Sequence, residues 1–229
     1  MSILKRSSTV IATTAVFLSA GCLLSGKALA LSISATVTGS RTPTQIPNAE
    51  FGDTIQNGDF LITRVGFETT LGNGSDEVTT WSFDFATDPN LSLFPTSGVL
   101  EEALLTLELS PRDPFITTDA TGIPGGKTIN IPDLPDIPAM GDVGTITIDL
   151  LEFGFTSEEI LATLQGSAPN IFDVPNGPNI LPWRYQDDAI ISSAELTLHA
   201  EPVPEPSTLL GLGTLALASG TLLRRRQKA

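Results

Sequence analysis

Cysteine and histidine are almost missing from this chain: its 229 residues contain one of each, Cys22 and His199. A lone cysteine forms no internal disulfide, and Cys22 lies in the N-terminal tail, away from the bulk of the sequence. Zinc sites built from His and Cys therefore fall away, as does thiol catalysis in the body. A Ser-His-Asp arrangement would have to use His199, which alternation places on the polar side of the run "AELTLHA" at 194–200. Basic residues are scarce in the middle: from Leu31 to Val203 there are five Lys/Arg against 25 Asp/Glu, a net of −20. The two ends carry seven basic residues and only Glu205, a net of +6. A body this acidic repels phosphate, which excludes holding nucleic acid or anionic lipid by direct charge attraction. The same charge keeps a surface-exposed protein soluble. Proline is absent from both apolar ends, since all 17 lie between Pro43 and Pro206. Body and ends are separate chemical objects.

Catalytic fingerprints are also lacking. No G-x-S-x-G, phosphate loop or dinucleotide motif occurs in the sequence. Glycoside hydrolysis needs only two carboxyl groups about 5–9.5 Å apart, but the many acidic residues give no way to nominate a pair. The expectation is a protein that is not an enzyme.

The N-terminus, "MSILKRSSTVIATTAVFLSAGCLLSGKALA", has a positive start at Lys5 and Arg6 and an uncharged apolar stretch from Val10 to Leu24. Ala28 and Ala30 then supply small side chains two apart, as signal peptidase requires. Residues 1–30 read as a secretory signal cleaved before Leu31. Within it, Ser19-Ala20-Gly21-Cys22 resembles a bacterial lipobox, with Ser where Leu is usual. Lipidation of Cys22 is the lesser reading, because one acyl chain anchors weakly and a second anchor is already present.

That second anchor is the run Thr208–Leu223, 16 residues without a charge. As a helix it would reach about 24 Å against a hydrocarbon core of about 30 Å, short but tolerable where flanking arginines snorkel. Arg224, Arg225 and Arg226 form the cluster that the positive-inside rule places on the cytoplasmic side. A cleaved signal followed by this stop predicts a single-span protein whose body faces away from the cytoplasm. Val203-Pro204-Glu205-Pro206-Ser207, the apolar run and the arginines closely resemble, in order and position, the PEP-CTERM sorting signal of Gram-negative bacteria. The resemblance implies that Pro204, Glu205 and Pro206 are read by exosortase, an enzyme of the inner membrane. It also implies delivery to the cell surface or extracellular polysaccharide matrix, with cleavage near the motif. Two prolines around one residue favour an extended segment that a protease cleft accepts.

The body, 31–203, alternates with a period of two. The runs are "LSISATVT" (31–38), "FLITRVGF" (60–67), "VTTWSFDF" (78–85), "ALLTLEL" (103–109), "TITIDLL" (145–151) and "AELTLHA" (194–200). Such alternation buries one face and wets the other, which predicts an antiparallel, jelly-roll-like β-sandwich. Asn57-Gly58 and Asn73-Gly74 mark turns. In "FTSEEILATLQG", Thr156 and Glu159 form a capping box and Gly166 a stop, which predicts one short accessory helix. The echo A-x-L-T-L at 103–107 and 194–198 predicts paired edge strands, and "IPGGKTINIPDLPDIP" (123–138) a long loop or edge segment.

Two stretches carry candidate binding chemistry. Trp183 and Tyr185 lie two apart in "NILPWRYQDDA", so an extended chain presents both rings on one face. Beside carboxylates such rings grip sugars, which makes a carbohydrate-binding module contacting exopolysaccharide the alternative function. Against it stands the reading of Trp183 as a core plug, the usual fate of tryptophan. Asp187 and Asp188 are the best acidic pair for a structural Ca²⁺, although no EF-hand loop is present. The leading expectation is a non-enzymatic exported surface or matrix protein meeting exopolysaccharide or other envelope proteins.

Overall fold

A computed structural model describes residues 31–95, 98–112, 119–134, 136–166 and 175–201. All of them fall within one compact unit, Ala28–Pro204. Ala28, Ala30, Cys22, Pro204, Glu205, Pro206, Arg224, Arg225 and Arg226 lie outside the described residues. Among the described residues no helix is long and apolar enough to cross a membrane.

In chain order the strands are β1 (Leu31–Thr38), β2 (Ile46–Pro47), β3 (Thr54–Asn57), β4 (Phe60–Arg64), β5 (Thr70–Leu71) and β6 (Glu77–Asp84). There follow β7 (Leu100–Pro111), β8 (Ala120–Gly122), β9 (Thr128–Asn130) and β10 (Gly144–Asp149). Helix α1 (Ser157–Leu164) precedes β11 (Ile180–Asp187) and β12 (Ala189–Ala200). One sheet has the order β1-β12-β7-β10, a second β3-β4-β6-β11-β8-β9, and β2 pairs with β5. Every pairing is antiparallel. Four pairs are nested, β1 with β12, β6 with β11, β7 with β10 and β8 with β9, while the longest pair, β7 with β12, crosses the β6–β11 pair.

The period-two pattern explains why the sheets close on each other. Leu105, Leu107 and Leu109 of β7, Ile146 and Ile148 of β10, and Leu196 and Leu198 of β12 all turn inward and are buried. They share one core with Trp81 and Phe83 of β6 and with Leu181 and Trp183 of β11, from the other sheet. Aromatic rings run through it: Phe60 meets Trp81 edge-on at 5.4 Å, Trp81 meets Phe83 at 6.0 Å, and Trp183 lies 5.7 Å from Phe155. Burying each such side chain is worth about 1.5–3 kcal/mol, so the rings and the more numerous aliphatic residues around them together hold the core. The Trp81 indole N–H is buried without a hydrogen-bond partner among the described residues, a local cost that the ring's packing outweighs.

Several expectations are met at the residues named. β1 spans the whole of 31–38, and α1 carries its capping box, with Thr156 Oγ1 accepting from Glu159 N–H (3.1 Å) and Glu159 Oε2 accepting from Thr156 N–H (2.9 Å). Gly166 follows with φ of 86°, where a side chain would be strained. The 123–138 stretch supplies β9, one of the two edge strands of the six-stranded sheet.

Others change. The run 60–67 is a strand only to Arg64, because the Val65 and Gly66 N–H groups both donate to the Asp76 carbonyl (3.1 and 3.2 Å). The A-x-L-T-L strands pair, with Ala194 opposite Leu107 and Leu198 opposite Ala103, but they are the two central strands of their sheet rather than its edges. β11 is an inner strand that alternation alone does not mark. Its Pro182 lies beyond the stretch Arg184–Gln186 that β8 pairs, so among the described residues β11 has a partner there only in β6.

Candidate functional site

β11 belongs to the six-stranded sheet and β12 to the four-stranded one, and only Asp188 separates them. Asp187 takes φ of 96° to make this crossing, a left-handed conformation that short polar residues tolerate best. The crossing leaves Asp187 and Asp188 half-buried at one end of the body. Asp76, just before β6, arrives beside them. Its N–H donates to Asp188 Oδ1 (3.1 Å), and its own φ is 51°. One carboxylate oxygen from each of Asp76, Asp187 and Asp188 lies within 4.8 Å of the other two.

The chain around Asp76 is held in place from both sides. Glu77 is buried and accepts from the N–H groups of Gly72, Asn73 (3.1 Å) and Gly74 (3.2 Å), which fixes the turn leading to Asp76. Burial nevertheless pushes the Glu77 carboxyl above its ordinary value, the three N–H donors opposing it. On the other side, Phe67 N–H donates to Asp76 Oδ2 (3.1 Å). Gly66 is required there: a Cβ would sit 2.0 Å from the Asp76 carboxyl carbon.

Beneath the three carboxylates lies a fourth. Asp119 is fully buried, accepting from the Tyr185 hydroxyl and from Asp188 N–H (3.2 Å). Burial raises its carboxyl to about 6; its hydrogen bonds pull the other way, and the neighbouring Asp187 and Asp188 charges push it further up. Burial and the Asp119 charge together hold the Tyr185 hydroxyl far above its ordinary value, so it stays a donor. Hard oxygen ligands on loops at this spacing are the donor set that Ca²⁺ takes.

Trp183 and Tyr185 do share a face, and that face is the core. They are 0% and 1% exposed, so neither ring reaches the surface to stack on a sugar. The Trp183 indole N–H donates to Thr121 Oγ1 (2.7 Å), whose hydroxyl donates to the Arg184 carbonyl (2.9 Å), satisfying both buried polar groups. Among the described residues the strongly exposed rings are instead Phe51 at 76% and Phe67 at 97%. His199 stands near the far end of β12, half-buried on the face opposite Leu198, with no acidic cluster like that at Asp76 around it among the described residues. Sequence reasoning nominated Asp187 and Asp188 but missed Asp76 and Asp119. Asp76 follows the Asn73-Gly74 turn by two residues, a signal that places it at the end of a hairpin but not beside β11.

Fold and cluster together define a mainly β, antiparallel protein with two main sheets and a carboxylate-rich end. The family model of the PEP-CTERM protein-sorting motif matches residues 202–227. The chain therefore carries the C-terminal signal of an exosortase substrate, which implies export and membrane-associated sorting through that end. No curated protein and no solved structure matches the chain.

Proposed function

We propose that this is a non-enzymatic, exported surface or matrix protein. Its signal peptide, residues 1–30, is removed, exosortase reads Pro204, Glu205 and Pro206, and Arg224, Arg225 and Arg226 hold the tail on the cytoplasmic side until the chain is cut. The observation that carries this reading is the sorting-motif match at 202–227. The acidic body supports it, since a net charge of −20 suits an exposed component that stays soluble and shuns anionic surfaces. On this reading the nested strand pairing is a jelly roll, an architecture that hosts many binding modules and by itself assigns no activity. Partners are then exopolysaccharide or other envelope proteins rather than nucleic acid. Replacing Pro204, Glu205 and Pro206 by alanine in the producing cells tests the proposal. The variant is expected to accumulate uncut in the membrane fraction, whereas normal release and size would refute the role of the motif.

A second reading has a specific observation behind it. Asp76 joins the Asp187–Asp188 pair from a distant stretch of chain, so three carboxylates converge where the sequence offers two. A structural Ca²⁺ held there ties the turn before β6 to the crossing between sheets and relieves the mutual repulsion of the acidic groups. Calcium is expected to raise the melting temperature of the wild type and to leave Asp187→Asn unmoved. An identical calcium response in both proteins, or none in the wild type, removes this site.

A further inference from the structure

The two ends of the described chain emerge side by side. Leu31 pairs with Ala200, and Glu201 N–H donates to the Val99 carbonyl (3.0 Å). The 88–94 loop packs at the same end: Asp88 Oδ2 accepts from Ser34 N–H (2.8 Å), and Asn90 Nδ2 donates to the Ser32 carbonyl (3.1 Å). β12 then runs the length of the body from Ala200 back to Ala189, 12 residues or about 36 Å. At its other extremity lie Asp187 and Asp188, with Asp76 hydrogen-bonded to Asp188 and Phe67 to Asp76. Phe51 is there too, since the next residue, Gly52, donates its N–H to the Arg64 carbonyl (3.1 Å) at the end of β4.

We infer that the body is tethered at the end where Leu31 and Ala200 pair, and that the opposite end, bearing Phe51, Phe67 and the Asp76–Asp187–Asp188 cluster, is the surface displayed away from the membrane. The inference rests on the membrane-associated tail of the preceding reading. Residues 202–207 are the only connection between Glu201 and the uncharged run, and six residues span at most about 20 Å. Three of the six are prolines, at 202, 204 and 206, a composition that stiffens linkers. A strap of that reach is about half the length of β12. The cluster end therefore meets the bilayer only if the whole body lies on its side. A body of net charge −20 is repelled by anionic headgroups, so that posture is disfavoured. The N-terminal side adds no competing tether, because on that reading residues 1–30 are removed and the chain begins at Leu31, at this same end.

Placement of a fluorophore tests this directly. In the chain from Leu31 to Ala229, the form that reading gives before the tail is cut, no cysteine is present, so Val99→Cys and Phe67→Cys each give one label at an exposed position. The two proteins are reconstituted into phosphatidylcholine–phosphatidylglycerol vesicles carrying headgroup spin labels, and the loss of fluorescence is compared. Several-fold greater quenching at position 99 than at 67 is expected, and Glu102→Cys with Phe51→Cys should repeat the contrast. Equal or reversed quenching in a chain that floats with the vesicles overturns the orientation alone. A chain that does not float overturns the membrane-associated tail, and the orientation with it.

Discussion

Asp119 shows how much a single buried carboxyl can impose on its surroundings. In the folded chain it is raised from its ordinary 3.8 to about 6, chiefly by burial. A carboxyl raised by folding stabilises the native state fully below its unfolded value and loses that contribution as pH climbs through the folded value. In chelator, melting temperature is therefore expected to fall as pH rises from about 3.8 to about 6, and Asp119→Asn is expected to flatten that slope. Glu77, also raised by burial, adds in the same direction. The partner of Asp119 makes a complementary test: Tyr185→Phe keeps the ring but leaves Asp119 short of a donor, which should cost about 1–3 kcal/mol in urea unfolding. Trp183→Ala should cost about 3–5 kcal/mol, as expected of a core residue rather than a surface platform. Half of this site is legible in the sequence. Asp187 and Asp188 are adjacent and stand out as a pair; Asp76 and Asp119 join them only through pairings more than 60 residues long, which no local pattern encodes.

Elements are legible to the extent that their signals are local. The capping box of α1 is written in four consecutive residues, Thr156 to Glu159, and the helix forms there. Removing it by Thr156→Ala should lower stability by about 1 kcal/mol, measured by chemical denaturation. β1, β10, the 103–109 stretch of β7 and the 194–200 stretch of β12 alternate strictly enough that the order of their residues alone names the buried face. β6, in contrast, is buried on both faces from Glu77 to Trp81. β11 escapes although Leu181, Trp183 and Tyr185 alternate with Pro182, Arg184 and Gln186, because Pro182 puts a strand breaker inside the run. The rank of β7 and β12 within their sheet escapes for another reason. An echoed A-x-L-T-L motif says that two strands are alike, not which neighbours flank them.

For the whole molecule, charge and chain exit decide more than any single contact. The acidic body, the basic ends and the sorting motif at 202–227 describe one path: out of the cytoplasm, held by the tail, and then processed. β12 finishes at Ala200 and Glu201 is fixed to Val99, so a cut near Pro204 severs none of the described strands. The processed body is thus expected to unfold at the same temperature as the uncut protein, as calorimetry of the two forms would show. The mass of the protein recovered from the producing cells tests the account most directly. On the proposed reading, the recovered species begins at Leu31 and ends near Pro206. A full-length polypeptide, both ends intact and free in the cytosol, would contradict it.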